Sequence, residues 1–349
     1  LDGKETLGDL RLVRPEEEGQ LIRQAMSSTA GCDLGNKSNE GQSYQPIVTQ
    51  IESTVDEAKE TVAVSCGDSS LTYGELDRKA SRLALKLQCQ GVGVGDVIGV
   101  CLHLSCDLMV ALFAVLKTGA AYLPLDPKHP KERLLFMVND SSAKFVLTNA
   151  ETQHSAMFPD AMLIDTMLTD TMLLSESDEA EISGSLDNVS ICADELFYVI
   201  YTSGSTGMPK GALVDQNNVF NLQQWYCHQF AFDSSEQHLV FSAIGFDLTQ
   251  KNLWAPLLTG GTLHFVDTND YDPIAITNTI EHRAITRINC APSAFYPIVD
   301  SCVEQDNLQA LSTLKTVVLG GEPIRMQVLK PWLDHADSDC LVVNSYGPT

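Results

Sequence analysis

Cations are what this chain lacks. It carries 22 Lys and Arg against 46 Asp and Glu in 349 residues, a formal net charge of −24 at pH 7. Such a field repels polyanions, so nucleic acid and anionic membrane surfaces are not expected partners. No apolar run approaches the roughly 20 residues of a membrane span; the longest near-continuous one is Leu108 to Leu116. Ten cysteines form no C-x-x-C pair and no His/Cys cluster at zinc spacing. Most of them read as small buried hydrophobes of a reducing compartment. With no signal-peptide pattern at the N-terminus, the expected location is cytoplasmic. The chain starts at Leu1 and stops at Thr349, directly after Tyr346-Gly347-Pro348; both ends read as cuts through something longer.

The dearth of cations is sharpest between Lys144 and Lys210, where there is no Lys or Arg at all. It ends in Tyr201-Thr202-Ser203-Gly204-Ser205-Thr206-Gly207-Met208-Pro209-Lys210-Gly211. Glycines permit positive φ and close backbone approach. Consecutive N–H groups can then form a concave anion site, with hydroxyl donors and one ammonium beside it. The plain alternative is a flexible Gly/Ser linker followed by a surface lysine. A linker needs neither the Pro-Lys-Gly ending nor the apolar strand Leu196 to Tyr201 before it. Gly204 and Lys210 have the separation of a Walker A loop, but Pro209 and Gly211 replace its second glycine and its Ser/Thr. A short strand, Gly211 to Val214, leaves the loop, and a helix is expected only near Asn218. Strand–loop–strand is a different phosphate loop.

Periodicity divides the rest. Residues 1–45 are polar, with a weak helical pattern from Glu16 to Met26, and read as a linker; the first domain proper begins near Pro46. Strands are expected at Glu60–Cys66, Val97–Leu104, Ala121–Leu125 and Phe145–Thr148. Helices are expected at Tyr73–Gln90, Cys106–Thr118 and Lys131–Asn139. Thr72 and Glu75 stand at capping-box spacing before the first of these. This rhythm predicts one parallel sheet covered by helices. After the phosphate loop come strands near 238–243, 262–265, 288–290, 314–319 and 341–344. The intervening helices are 219–230, 253–258, 272–282, one after Pro292, and 323–333. The expected fold class is α/β: two βα-layered subdomains with mostly parallel sheets flanked by helices.

Five segments stand in a telling order: Leu71-Thr72-Tyr73-Gly74-Glu75-Leu76, Leu116 to Pro127, the phosphate loop, Gly245-Phe246-Asp247-Leu248-Thr249, and Asn344 to Thr349. With them, residues 46–349 resemble the adenylate-forming, AMP-binding enzymes, and most closely the amino-acid adenylation domains of non-ribosomal peptide synthetases. The resemblance implies a large N-terminal subdomain cut before the small C-terminal one. It implies that residues 1–45 trail from an upstream condensation domain. The implied activity is formation of aminoacyl-AMP from an amino acid and ATP with Mg2+, followed by transfer to the phosphopantetheine thiol of a carrier domain.

The resemblance also assigns residues. Thr202, Ser203, Gly204, Ser205, Thr206, Gly207 and Lys210 would close over the β- and γ-phosphates. Gly321, Glu322 and Pro323 would line the adenine side, Tyr346 would stack on the base, and Thr349 would sit near the α-phosphate. Lys210, Thr202 and Thr349 are the expected catalytic contacts. Thr206 is the candidate metal contact, since the magnesium-binding Glu would follow Thr349. Asp247 would pair with the substrate α-ammonium, or else cap a helix. Leu248, Lys251, Asn289, Val318, Gly320 and Ser345 would surround the side chain. Lys251, with Asn289 and Ser345, suggests a polar or acidic side chain if it faces the pocket rather than solvent.

Two other readings stay open: an acyl- or aryl-CoA ligase, disfavoured by Asp247 and by Leu-Pro-Leu-Asp-Pro at 123–127, and a degenerate nucleotide-binding module. The missing C-terminal part implies that this 349-residue chain does not complete turnover alone. ATP–pyrophosphate exchange assayed on it is expected at background; exchange at ordinary enzymatic rates would refute that expectation.

Overall fold

The computed structural model describes residues 43–153, 161–163, 189–202, 209–268, 270–335 and 340–345. The chain divides into Leu1–Tyr44 and Gln45–Thr349, and every element named below belongs to the second unit. The expected linker lies outside the described residues but for its last three, as does the expected helix at Glu16 to Met26. The elements run α1 (Ile47–Ala58), β1 (Val62–Cys66), β2 (Ser69–Thr72), α2 (Tyr73–Cys89), β3 (Val97–Val100), α3 (Cys106–Lys117), β4 (Ala121–Pro124), α4 (Lys131–Asp140), β5 (Phe145–Thr148), α5 (Ala150–Gln153) and β6 (Ala161–Leu163). Then come β7 (Leu196–Thr202), β8 (Lys210–Asp215), α6 (Gln216–Gln229), β9 (Gln237–Val240), α7 (Asp247–Leu258), β10 (Thr262–Phe265), α8 (Pro273–His282), β11 (Arg287–Cys290), α9 (Pro292–Glu304), β12 (Thr316–Gly320), α10 (Met326–Leu333) and β13 (Leu341–Ser345).

Local chemistry explains several boundaries. The Glu75 N–H donates to Thr72 Oγ1 at 3.2 Å, and the Thr72 N–H donates to Glu75 Oε2 at 2.9 Å. This capping box starts α2 at the position its spacing predicts. Asp272 caps α8 through the N–H groups of Ile274 and Ala275. Helix α1 has no counterpart among the elements expected from sequence. It buries Ile47, Val48, Ile51 and Val55, a stripe at helical spacing that the polar residues between them dilute. Helix α7 begins six residues before its expected start. Thr249 and Asn252 are weak helix formers, yet tertiary contacts hold this turn: Thr249 Oγ1 donates to the Ala243 carbonyl at 2.9 Å and Gln250 Nε2 to that of Ile244 at 2.6 Å.

Two sheets result. Six strands lie in the order β6-β5-β3-β4-β7-β8 and seven in the order β13-β12-β11-β9-β10-β1-β2. Both are parallel except at one edge, where β8 and β2 run antiparallel to β7 and β1. One expectation is corrected here. The strand at Val62–Cys66 does not join β3, β4 and β5. It pairs with β10, Val64 opposite Leu263, and so belongs to the seven-stranded sheet. Alternation of strands and helices reports which faces are buried, not which strands pair, and a contact across about 200 residues leaves no local trace.

Helix α3 packs against β3 and β4 of one sheet and β1 and β2 of the other. Every residue from Leu108 to Leu116 is fully buried, as expected of a helix apolar on all sides. At its end the buried Lys117 ammonium is held by Glu52 and, at 2.9 Å, by Asp77. Tyr122 of β4 joins the two halves. Its hydroxyl donates to Gln250 Oε1 at 2.5 Å and accepts from Trp254 Nε1 at 3.2 Å. All three residues are 2% exposed or less.

Tyr122→Phe strands both partners in an apolar centre. An unsatisfied buried group costs about 1–3 kcal/mol, and urea unfolding is expected to show a loss in that range; an unchanged midpoint would refute the role given to this junction.

Candidate functional site

The strands of the seven-stranded sheet end on a common edge, and the connections after β9, β11 and β12 open there. In open α/β sheets ligands bind outside the carboxyl ends of strands. A cavity of about 730 Å³ lies at this edge, lined by Ser242 and Ala243 after β9, Ala291 after β11, Gly320 to Glu322 at the end of β12, Ser345 of β13 and the first turn of α7. Tyr198 of β7 closes another side.

Phe246, in extended conformation at φ −93° and ψ 137°, is the N-cap of α7. Asp247 is therefore not the cap; it is the first helical residue, and its Oδ1 accepts the N–H of Leu248 at 2.6 Å. The carboxylate lines the cavity. It sits close enough to Tyr198 to help burial push that phenol up to about 12. Lys251 comes one turn later on the same face and lines the same cavity. The pocket reading of Lys251, rather than the solvent one, therefore matches its position. Its Nζ lies 5.5 Å from the centroid of the Tyr226 ring and 3.4 Å from the Leu248 carbonyl oxygen. Burial pulls its pKa down to about 8, and the Asp247 charge partly offsets that.

Asn289 and Val318 do not face the open cavity. They are 3% and 2% exposed and oppose each other on β11 and β12, in the layer beneath α7. Gly320 is where β12, β13 and α7 come closest: a Cβ there would lie 2.9 Å from the Ser345 carbonyl oxygen and 3.4 Å from Leu248 Cδ1. Gly321 turns the chain away at φ 86°. Glu322 is held by Ser293, whose hydroxyl donates to Oε1 at 2.9 Å and whose N–H donates to Oε2 at 3.1 Å. Pro323 is exposed and is not part of the described lining.

The phosphate-loop residues Ser203, Gly204, Ser205, Thr206 and Gly207 lie outside the described residues, as do Tyr346 and Thr349. The ends of that loop are described. Thr202 and Lys210 face each other across β7 and β8, so the connection is a strand–loop–strand hairpin, in agreement with the sequence of its flanks. Among the described residues no group of His, Cys, Asp and Glu is arranged to hold a metal ion.

Sequence reasoning missed the apolar rim. Trp225 of α6 is 44% exposed, Phe246 63% and Tyr271 45%, and all three border the cavity. Exposed aromatics at a cavity mouth mark contact surface, but in sequence they resemble any core aromatic.

The sequence profile of the AMP-binding enzyme family matches residues 51–349. A dimodular nonribosomal peptide synthase of Bacillus subtilis (strain 168) is 31% identical over 100% of this chain, which spans 14% of that relative's length. Among solved structures, the AMPPNP-bound form of the nonribosomal peptide synthetase FmoA3 superposes with a TM-score of 0.78 at 24% identity. That match covers 90% of this chain and 33% of that one. The N-terminal subdomain of Klebsiella oxytoca NpsA, in complex with 3-hydroxybenzoyl-AMSN, gives 0.76 at 19%, covering 90% and 75%. At these identities the two structures share the fold.

The depressed Lys251 pKa has a signed consequence. The unfolded chain holds the proton up to about 10.5 and the folded one only to about 8. The cost of burying the ammonium is therefore present in full below pH 8 and relieved as pH rises toward 10.5. Lys251→Met is expected to be more stable than the parent at pH 7, by at most about 3 kcal/mol. That advantage should shrink between pH 8 and 10.5 in paired denaturation curves. A difference independent of pH would refute it.

Proposed function

The chain belongs to the AMP-binding enzyme family, and we propose that it forms the large part of an amino-acid adenylation domain in a non-ribosomal peptide synthetase. In the reaction, a carboxylate oxygen of the amino acid attacks the ATP α-phosphorus. The new O–P bond forms as the bond to the β-phosphate oxygen breaks, and pyrophosphate leaves. Substitution at phosphorus leaves the protein chiefly with positioning and charge stabilisation.

One observation carries the reading: Asp247 lines the 730 Å³ cavity at the carboxyl edge of the sheet. A carboxylate there offers an α-ammonium a counter-charge, a partner that an acyl or aryl acid does not need. Gly321, with open space where a Cβ would stand, and the Ser293-held Glu322 suit the flat adenine. Thr202 and Lys210, paired at the mouth of the hairpin, would bring the phosphate loop over the β- and γ-phosphates. Mg2+ would offset the phosphate charge; Thr206 and a carboxylate beyond Thr349 are its proposed contacts. Transfer of the aminoacyl group to a carrier-domain phosphopantetheine thiol, and an upstream condensation domain adjoining residues 1–45, complete the reading.

Removing one member of a buried ion pair costs about 3–5 kcal/mol. In the full-length protein, Asp247→Ala is therefore expected to lower kcat/KM for the amino acid in ATP–pyrophosphate exchange by at least about 100-fold. Lys210→Ala is expected to weaken ATP use. Unchanged exchange in both variants would overturn the site assignment.

A further inference from the structure

The layer beneath the cavity is more polar than a protein interior requires. The faces of β9, β11 and β12 that meet α8, α9 and α10 are apolar: Leu239, Ile288, Cys290, Val317 and Leu319 belong to one core. The opposite face, toward α6 and α7, carries His238 on β9 and Arg287 and Asn289 on β11. Arg287 is paired with Glu236 at 2.7 Å and lies over the Phe232 ring. The other two have no such partner. Both ring nitrogens of His238 are buried without a hydrogen bond among the described residues, its ring stacked 6.0 Å from that of Phe232, while the Asn289 side chain lies against the Tyr226 hydroxyl. Unpaired buried polar atoms are costly unless something else satisfies them.

Lys251 sits at the top of this layer. Its ammonium lies by the Tyr226 ring and the Leu248 carbonyl, and its charged neighbour is Asp247 on the same helical turn. The Tyr226 hydroxyl, which donates to Asn252 at 3.0 Å, adjoins Asn289. A cation thus lines one end of the cavity, with an amide in the layer beneath it, in a protein of net charge −24 that spends few cations anywhere. At the other end of the same helical turn is the Asp247 carboxylate. Residues four apart on a helix have their Cβ atoms about 6 Å apart, close to the reach from an α-ammonium to a carboxylate two or three carbons along a side chain.

We infer that the amino acid selected here carries a side-chain carboxylate, held by Lys251 with Asn289 beneath it while Asp247 holds the α-ammonium. The inference rests on the adenylation reading and sharpens its substrate. A neutral amide side chain offers the Lys251 ammonium an acceptor but no charge, and an apolar one offers neither. Either substitution loses a charge-assisted contact.

The test is calorimetric binding of aminoacyl-sulfamoyl adenosines to the 349-residue chain, with the panel spanning all twenty amino acids. The glutamyl or aspartyl compound is expected to bind at least about tenfold more tightly than its own amide isostere. Lys251→Met should abolish that preference, and Lys251→Arg, which keeps the charge, should retain it. Equal or tighter binding of the amide or of an apolar analogue overturns the charge assignment and leaves the adenylation reading standing. Binding of no member of the panel overturns the adenylation reading, and this inference with it. A preference that survives Lys251→Met, in a variant with unchanged circular dichroism, also overturns the assignment.

Discussion

The junction at Tyr122 is what the site depends on. A tyrosine hydroxyl at the centre of two packed sheets must find both a donor and an acceptor, and it finds them in the side chains of Trp254 and Gln250 on a single helix. Two contacts one turn apart fix both the rotation and the height of α7. The pair Asp247 and Lys251 lies one step around the same helix, about 60° away. Once Gln250 and Trp254 are locked, the carboxylate and the ammonium have little choice of direction. Phe197 stacks edge-on against both Tyr122 and Trp254, so the lock is packed as well as bonded. The chemistry of the cavity is in this sense set from the adjoining face of the helix.

The strand pairing of β1 with β10 supplies the frame in which that lock works. It draws α3 between the sheets, and the fully buried α3 leaves no room for the sheets to slide. Charges inside this frame are individually neutralised: Lys117 by Glu52 and Asp77, Arg287 by Glu236. Lys251 differs from these two in that its charged neighbour, Asp247, stands on its own helix and lines the same cavity.

Local chemistry is legible in the sequence, and long-range geometry is not. The capping box at Thr72 and the paired strands on either side of the phosphate loop depend on a few neighbouring residues, and the structure has them. The partner of β1 lies some 200 residues away, and alternation alone puts that strand in the wrong sheet. The first half of α7 escapes a sequence reading because Thr249 and Asn252 are held by tertiary hydrogen bonds rather than propensity. The set of pocket residues is partly readable through resemblance: Asp247, Leu248, Lys251, Gly320 and Ser345 do line one cavity. The resemblance cannot say that Asn289 and Val318 lie a layer deeper, nor that Trp225 and Tyr271 border the mouth.

That depth matters to how specificity can arise. A residue on the cavity wall acts by contact, so its exchange alters the shape offered to a side chain. A buried cation on that wall, such as Lys251, also acts by charge, favouring an occupant that brings a carboxylate. Discrimination of this kind is strong because the wrong occupant leaves polar groups unpaired in low dielectric rather than merely fitting less well. An apolar lining of equal volume would have been more stable and less selective. The polar face of β9 and β11, set against the apolar face behind it, is therefore better explained by selection of a ligand than by the demands of folding.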